Sequence, residues 1–470
     1  MGLKIFNSKI SSLAKDFDLR MDSKFYGRIN FYNFKIIENS SYPLIELRHV
    51  IAPKYEEIDF EEYKTYNALS THSDNFDEDG EIVDYKEVTK EDHPSRIKYI
   101  PIENSIVLSS LKGAKVSAIL IDKSKMNYVL SNGFYIFINN NQTFRTEYIY
   151  YLLRSKLFKK ILDENLSRGI SISSYYERDL LRIKIPLVPK DIQDETIKRI
   201  KKVEIEIKNI KQSMPDTQEV IEEVLEKYLD CFYNRELIDQ KKTKIFHKRV
   251  SDIGKRKNLR LDPKYYLFWD KTEGKIFSSN KVNNIKLVKV IKLVKEKIIQ
   301  KGDLEKEYIL IDKEDVDSKR GIIVNENVVT KIDSDKILFG DADILIPKLR
   351  PYLGGTFINI KNKNFIGTPE FLPYLVNEKI LLKEYLKYIL LSKDFLSLVP
   401  YLSSGKEHPR LSSYDLESIE IPLPQDDINL SKQMRIVKLI EIKLGDLNEK
   451  RKTIENNREK IEKLIITSLK

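Results

Sequence analysis

Apolar residues recur at steps of three and four along two long stretches, a spacing typical of amphipathic helices. In the second stretch the step of seven residues is typical of a coiled coil, although Arg451 and Arg458 stand where an apolar residue is expected. Because a proline inside a helix costs about 3 kcal/mol, we expect the first helix to be kinked or broken near Pro215. The residues predicted to pair the two helices are Ile200, Val203, Ile207, Ile210, Ile440, Leu444, Leu447, Ile454 and Ile461.

These helices are too long for an ordinary globular layer. A helix of about 40 residues spans roughly 60 Å at 1.5 Å per residue, which indicates a spacer. Two spacers from one chain are expected to bury their apolar stripes against each other in antiparallel fashion. Such a pair would relate the regions that it connects by an approximate two-fold axis.

The chain also repeats itself once, in three blocks that keep their order. The first block contains Phe6, Ser11, Lys15, Leu19, Arg20, Asp22, Lys24 and Tyr26, and it returns as Phe246, Ser251, Lys255, Leu259, Arg260, Asp262, Lys264 and Tyr266. The second contains Glu147, Tyr148, Tyr151, Ser155, Lys156 and Phe158, and it returns as Glu384, Tyr385, Tyr388, Ser392, Lys393 and Phe395. The third contains Ser167, Gly169, Asp179 and Leu180 with an Ile-x-Ile-Pro-Leu segment, and it returns from Ser403 onward in the same way. Because the offset between the copies drifts only slightly, this register indicates a duplicated unit of roughly 235 residues.

The repeat and the stripes together predict an α+β fold with two similar globular domains, related by a pseudo-two-fold and separated by two long antiparallel coiled-coil helices. The predicted boundaries are 1–188 for the first domain, 189–240 for the central spacer helix, 241–424 for the second domain and 425–470 for the C-terminal spacer helix.

The amino-acid composition indicates which kinds of partner the protein can bind. Lysine and arginine exceed the acidic residues by ten, and the pI near 9.0 fits a polyanion, although a lysine-rich composition alone gives the same excess. The single Cys231 excludes a disulfide framework and points to the reducing cytoplasm. No apolar run approaches the roughly 20 residues of a membrane span, and we expect neither a membrane partner nor a signal segment.

Motifs that carry catalytic chemistry are missing from the sequence. There is no adjacent pair of prolines, as an Asn-Pro-Pro-Tyr loop of an adenine methyltransferase requires, and no P-loop. The five histidines never fall four residues apart on a helix or next to the cysteine. We therefore expect no catalytic residue, no metal and no cofactor.

Basic and aromatic loops recur at equivalent places in the two copies. In the second copy, an apolar strand runs into Pro347-Lys348-Leu349-Arg350-Pro351-Tyr352, where two prolines predict an extended, solvent-facing segment. Arginine and lysine bind phosphates or guanine edges, and serine can bind either. An ordinary hydrated turn is the alternative for each single loop. The predicted DNA-binding residues are Lys112, Lys115, Arg168, Ser171, Ser173, Lys348, Arg350, Tyr352, Lys406, His408 and Arg410.

Over nearly its whole length the chain resembles the specificity subunits of type I restriction-modification enzymes. The resemblance is carried by the repeated Leu-Arg-x-Asp-x-Lys-x-Tyr motif, by Asp343-Ile344-Leu345 leading to Lys348-Leu349-Arg350-Pro351, and by the glycine loops followed by Ile-x-Ile-Pro-Leu. It implies that each domain reads half of a split double-stranded DNA site. It further implies that two methyltransferase subunits bind the helices, and that methylation and cleavage reside in these and in restriction and translocase subunits. Both helix entries depart from the Pro-Leu-x-x-Gln run of that family.

Three other interpretations stay open, two of them non-catalytic and one enzymatic. The chain can be a non-catalytic DNA-recognition component of another defence system, or a helical protein-protein scaffold that does not bind DNA. A concealed nuclease or methylase fragment would require cleavage or methyl transfer by the isolated chain.

Overall fold

The structure, a computed structural model, describes residues 36–37, 39–61, 64–70, 75–112, 114, 118–163, 174–229, 232–233, 249, 260–278, 282–361, 363–425 and 430–470. The chain divides into two compact units. Unit 1 comprises Met1–Lys211 and Lys452–Lys470, and unit 2 comprises Gln212–Arg451. Unit 1 is thus built from two segments that are distant in sequence.

Unit 1 combines short strands with helices that follow them in sequence. Its strands are β1 (Leu44–Glu46), β2 (Ile51–Pro53), β3 (Tyr66–Leu69), β4 (Lys86–Val88), β5 (Ile97–Tyr99), β6 (Ile106–Ser109), β7 (Ala118–Leu120), β8 (Tyr128–Ser131), β9 (Phe134–Asn139) and β10 (Lys184–Pro186). Its short helices are α1 (Thr146–Arg154), α2 (Lys156–Ile161) and α3 (Glu177–Leu181). One four-stranded sheet has the order β2-β9-β6-β7 and another the order β4-β3-β8-β5, in which β3 and β8 run parallel.

The central strand β6 is buried on both faces, because a sheet lies against one face and helices lie against the other. Ile106 and Leu108 point to one side and belong to the core that contains Tyr148 of α1. Val107 points to the opposite side and packs in a second core with Leu130 of β8. The alternation follows from the two-residue period of a strand. It places the end of β6, and the loop after it, at a fixed point of the unit.

Unit 2 repeats the order of the sheet strands of unit 1 but contains additional strands, and its second sheet has five strands instead of four. Its strands are β11 (Phe232–Tyr233), β12 (Phe277–Ser278), β13 (Val282–Lys286), β14 (Ile291–Leu293), β15 (Lys297–Ile299), β16 (Gly302–Ile311), β17 (Val316–Asp317), β18 (Ile322–Ile323), β19 (Asn327–Ile332), β20 (Lys336–Leu338), β21 (Ile344–Pro347), β22 (Phe357–Ile358), β23 (Phe365–Gly367), β24 (Phe371–Val376) and β25 (Glu420–Pro424). Its short helices are α6 (Pro263–Thr272), α7 (Lys383–Leu391), α8 (Lys393–Leu402) and α9 (Ser413–Ser418).

The sheets of unit 2 repeat those of unit 1. The order β14-β24-β21-β22 corresponds to β2-β9-β6-β7, and the parallel pair β16 and β23 corresponds to β3 and β8. Ser392 and Ser155 cap α8 and α2 in the same way, each accepting a hydrogen bond from the amide three residues later. The mixed fold with two similar units confirms the predicted α+β class.

Long helices belong to both units: α4 (Lys190–Gln212) lies in unit 1 up to Lys211, α5 (Thr217–Leu229) lies in unit 2, and α10 (Ser431–Ser468) lies in unit 2 up to Arg451 and in unit 1 from Lys452. Pro215 lies in the short break between α4 and α5. The first turns of α4 and α10 each carry a buried glutamine, Gln193 and Gln433. The Gln193 side chain binds the backbone directly before α1, and the Gln433 side chain binds the backbone directly before α7. Gln193 accepts the Arg145 amide at 2.8 Å, and Gln433 accepts the Leu382 amide at 3.0 Å.

A partly buried glutamate makes a second equivalent contact in each unit. Glu462 accepts the amide of Lys156 at the start of α2 at 2.8 Å, and Glu222 accepts the amide of Asp394 at the start of α8 at 3.2 Å. The separation in sequence between the two glutamates equals that between the two glutamines. Burial raises the pKa of both carboxyls. The duplication therefore extends through the long helices to the end of each repeat.

Candidate nucleic-acid interface

The two predicted loops of unit 2 meet and form a small backbone ladder beyond the end of β21. The amide of Lys348 donates to the carbonyl of Glu370 at 2.7 Å, and the amide of Leu411 donates to the carbonyl of Lys348 at 2.9 Å. The amide of Arg350 donates to the carbonyl of Pro409 at 2.8 Å. We call residues 347–350, 370 and 404–411 the loop ladder of unit 2. Sequence segments predicted separately to bind DNA thus form one surface.

A tight hairpin completes this ladder. Ser404 and Arg410 exchange two backbone hydrogen bonds, at 2.8 and 2.7 Å. Gly405 permits the turn, because its φ of +102° is in the region that favours glycine and a Cβ there would lie 3.0 Å from the carbonyl oxygen of His408. Lys406 and His408 project from the hairpin and are exposed.

Unit 1 contains the same ladder. The amide of Ser110 donates to the carbonyl of Gly133 at 2.9 Å, and the amide of Tyr175 donates to the carbonyl of Ser110 at 2.8 Å. Leu111 and Ser174 form the bridge that Leu349 and Arg410 form in unit 2. The predicted residue Lys112 follows directly and is exposed. We call residues 109–112, 133 and 174–175 the loop ladder of unit 1.

Four of the predicted DNA-binding residues lie outside the described residues: Lys115, Arg168, Ser171 and Ser173. The described part of the chain consequently includes Lys112 from the residues predicted in unit 1, and all six predicted in unit 2.

The segment around Arg350 differs from the extended conformation that its two prolines predicted. Arg350 has a φ of 47°, and a single turn of 3-10 helix follows from Pro351. The ammonium of Lys313 donates to the carbonyls of Leu349, at 3.0 Å, and Arg350, at 3.5 Å, and so stabilises the turn. Burial and the nearby Arg350 guanidinium lower the pKa of Lys313. A positive φ is uncommon for a residue other than glycine, and the proline that follows Arg350 favours the extended region, so the hydrogen bonds of this turn hold Arg350 in an unusual conformation.

The side chains of this turn are partly buried. The guanidinium of Arg350 donates to the carbonyl of Glu407 at 3.3 Å, and its Nε is buried without a hydrogen-bond acceptor among the described residues. Tyr352 packs its ring partly against the core of unit 2. Both residues are held in place by the domain, although part of each remains accessible.

Two of the predicted cations already bind carboxylates of the same unit. Arg410 binds Glu370 with its Nε at 3.1 Å from each carboxylate oxygen and its Nη2 at 2.8 Å from Oε1. Lys348 lies 3.4 Å from Glu296. These acidic partners were not predicted, because the sequence signal for a DNA-binding surface consists of cations. Glu370 immediately precedes β24, in the divergent middle of the repeat.

The predicted helix-pairing residues are largely buried, each within its own unit. Ile200 packs in the core of unit 1 with Ile465, whereas Ile440, Leu444 and Leu447 pack in the core of unit 2 with residues of α5. Val203, Ile207 and Ile454 are buried, and Ile210 and Ile461 are half-buried.

Within unit 2, α5 and the first part of α10 run antiparallel. Thr217 accepts a hydrogen bond from Arg451 at 2.7 Å, and Glu223 binds Lys443 at 2.6 Å. Further along, the guanidinium of Arg435 lies 5.5 Å from the ring of Tyr228. The partner of Arg451 explains why an arginine interrupts the apolar stripe at this position.

An ion cluster in unit 1 explains the second interruption. The guanidinium of Arg458 binds Asp79, and the ammonium of Lys211 binds both Asp77 and Asp79. Burial raises the pKa of the Asp79 carboxyl, but the hydrogen bonds from Arg458 and Lys211 outweigh burial and lower this pKa to about 2. The cluster ties the loop that carries Asp79 to both helical segments of unit 1.

Features of a metal site or a membrane span are absent from the described ranges. No group of three or more histidine, cysteine, aspartate or glutamate side chains there could hold a metal ion. None of the described helices is long and apolar enough to cross a membrane.

Comparison with protein families gives a match over residues 44–234, which runs from β1 of unit 1 through α5 and β11 of unit 2. The matching family is the type I restriction modification DNA specificity domain. Residues 44–234 are therefore similar to this specificity domain. The loop ladder of unit 1 lies within it, whereas the ladder of unit 2 lies beyond its matched range. Comparison with curated proteins returns no match.

Solved structures similar to the chain include two specificity subunits. The HsdS subunit from Thermoanaerobacter tengcongensis is 14% identical over 91% of this chain and 95% of its own, with a TM-score of 0.33. The S subunit of a type I restriction-modification system from M. genitalium is 13% identical over 92% and 98%, with a TM-score of 0.41. A chain from a study of complex assembly and conformational transition of the type I R-M system is 16% identical over 91% and 97%, with a TM-score of 0.41.

Proposed function

We propose that the chain is a non-catalytic specificity subunit, in which unit 1 and unit 2 each read one half of a bipartite double-stranded DNA site. The observation that carries this proposal is the loop ladder. It occurs in the range that matches the specificity domain, and two of its backbone hydrogen bonds and its bridge recur at equivalent positions in unit 2. A duplicated recognition surface fits a DNA site with two halves.

Charge supports a DNA partner. The chain carries a net charge of +10, and the ladders expose Lys112, Lys406, His408 and Arg410. Binding should weaken with salt, by a log-log slope near −0.9 for each phosphate neutralised. The domain boundaries proposed for this function remain 1–188 and 241–424, with 189–240 and 425–470 as helical spacers.

A specificity subunit without catalytic residues needs other subunits for methylation and cleavage. We propose that the long helices bind methyltransferase subunits, two for the two halves, and that restriction and translocase subunits join them. The exposed apolar residues Ile205 on α4 and Ile442 on α10 are suited to such contacts. The proposed location is the cytoplasm.

The test is co-expression with a type I methyltransferase subunit that binds the chain, followed by sequencing of the methylated positions. A split motif with a fixed gap is the expected result. The full chain alone is tested in parallel by gel shift on random duplex DNA at low salt. Failure to bind DNA, with retained binding of protein partners, would favour a protein-protein scaffold, and a contiguous motif would contradict two reading units.

A further inference from the structure

The two loop ladders share their backbone but differ in the side chains at equivalent positions. Lys348, Glu370 and Arg410 of unit 2 occupy the positions that Ser110, Gly133 and Ser174 occupy in unit 1, as the paired hydrogen bonds and bridges establish. One ladder therefore presents charged groups where the other presents small, uncharged residues. A difference of this kind is what two domains need if they read different sequences on the same scaffold.

The pair formed by Arg410 and Glu370 is accessible. Their side chains are 51% and 32% exposed, and they share three contacts of 2.8 to 3.1 Å. No described residue accepts a hydrogen bond from Nη1 of Arg410. The carboxylate also keeps acceptor capacity, since it has about four lone-pair sites. Together the two residues present donors and acceptors side by side.

A neutral pair is poorly suited to bind phosphate. The Glu370 carboxylate repels a phosphate oxygen placed next to it, and it neutralises the charge by which Arg410 would release counterions. The hydrogen-bonding groups on the edges of bases, in contrast, are suited to such a pair. Arginine donates to O6 and N7 of guanine, and glutamate accepts from the N4 amino group of cytosine. Both groups of a G·C pair lie in the major groove.

We propose that Glu370 is a specificity-determining residue of unit 2 that, together with Arg410, reads a G·C base pair in the major groove. This rests on the proposed function, because it requires unit 2 to bind one half of a DNA site. Glu370 orients the guanidinium and accepts the cytosine amino group, and Arg410 donates to the guanine. Unit 1 has Gly133 and Ser174 at the equivalent positions and so lacks this pair at that place in its ladder.

The experiment uses the full chain and a randomised duplex library. The site selected by the wild-type chain is first established, and binding is then measured for every single substitution in that site. Glu370→Gln keeps the side-chain size and the backbone bond to Lys348. We expect it to reduce discrimination at one G·C position of one half-site by about 10- to 100-fold. The other half-site should keep its preferences.

Glu296→Gln is the matched control, because it also neutralises a carboxylate beside a ladder cation and should leave the base profile unchanged. Arg410→Lys, which cannot bind guanine with a planar fork, should lose discrimination at the same position as Glu370→Gln. Arg410→Lys provides the test if Glu370→Gln does not fold.

Three results would overturn the inference. If Glu370→Gln tightens binding to all sequences equally with a steeper salt dependence, Glu370 shields Arg410 from phosphate. An unchanged base profile in Glu370→Gln and Arg410→Lys would refute the inference while the proposed function stands. Absence of any DNA binding by the wild-type chain would refute both.

Discussion

Arg458 forms two hydrogen bonds with the carboxylate of Asp79, at 2.8 and 2.7 Å. From the sequence, Arg458 was a defect in an apolar stripe. In the structure it neutralises an aspartate that is partly buried in unit 1, and Lys211 approaches the same carboxylate from α4. An apolar residue would fit the stripe but leave this carboxylate with fewer partners.

Replacement of Arg458 should therefore destabilise unit 1. We expect Arg458→Leu to lower the free energy of unfolding by about 2 kcal/mol, the range for a hydrogen bond to a charged group. Arg199→Leu is the control, since Arg199 is an exposed arginine on α4 that pairs with Glu195 in the same helix. Hydrogen exchange of peptides from 75–84 and 190–211 measures the effect. Equal protection in the two variants would contradict the role assigned to Arg458.

The same cluster predicts a dependence on pH. The pKa of Asp79 is lowered to about 2 in the folded chain from 3.8, so its ion pairs contribute stability above about pH 4. This contribution is lost as the pH falls through 4 towards 2. Asp79→Asn should thus be less stable than the wild type at pH 7, with a difference that shrinks on acidification. Urea midpoints measured from pH 7 to pH 3 provide the test, and a constant difference would contradict it.

Replacement of either buried glutamine should reduce the stability of its unit by a similar amount. Gln193→Ala leaves the Arg145 amide and the carbonyls of Thr143 and Val188 without their partner. We expect a loss of about 3 kcal/mol, because buried polar groups left unpaired cost about 1–3 kcal/mol each. Thermal unfolding followed by circular dichroism measures it.

The equivalent Gln433→Ala should destabilise unit 2 by a comparable amount, since the Leu382 amide and the Ile380 carbonyl lose their partner. Gln212→Ala, at an exposed position near the end of α4, should change stability by less than about 0.5 kcal/mol. If all three variants melt with the wild type, the glutamines do not anchor the helices.

Replacement of Arg350 should affect DNA binding at one half-site only. We expect Arg350→Ala to weaken binding to the half-site of unit 2 by about 1–3 kcal/mol, the range for a specific base contact. The sequence preference of the other half-site should not change. Lys331→Ala is the control, because Lys331 is a well-exposed cation of the same unit that lies on β19, away from the loop ladder. Equal relaxation of both half-sites in a randomised-site selection would contradict the assignment.

The sequence predicted the fold class because the strongest signals are local or repeated. The continuous apolar run Ile106-Val107-Leu108 and the helical stripe through Ile440 and Leu444 can be read from the local sequence, without knowledge of distant contacts. The repeat gave information on the long-range structure, because similar sequence blocks in the same order predict two domains of similar fold. The buried glutamines recur with the same spacing as the first block, and an extended comparison of the repeats would have found them.

The site was predictable only in part. Arg350 and Arg410 could be selected because they are cations in recurring loops, but their pairing depends on backbone bonds between segments that are distant in the chain. Glu370 could not be selected, since a search for DNA-binding cations passes over acidic residues. Glu370 and Gly133 occupy equivalent positions in the two ladders, and this equivalence becomes visible only when the backbone hydrogen bonds of the ladders are compared.

The composition of unit 1 has a consequence for synthesis on the ribosome. Ile465 and Leu469 belong to its core, yet all of unit 2, Gln212–Arg451, is translated between Lys211 and Lys452. At about 5–20 residues per second, translation of this interval takes roughly 12–48 s. The half of the chain that emerges first must wait for its final helical segment, whereas unit 2 has all its residues by Arg451. The later half can therefore finish folding before the earlier one, and the nascent first half is the part that chaperones have to protect.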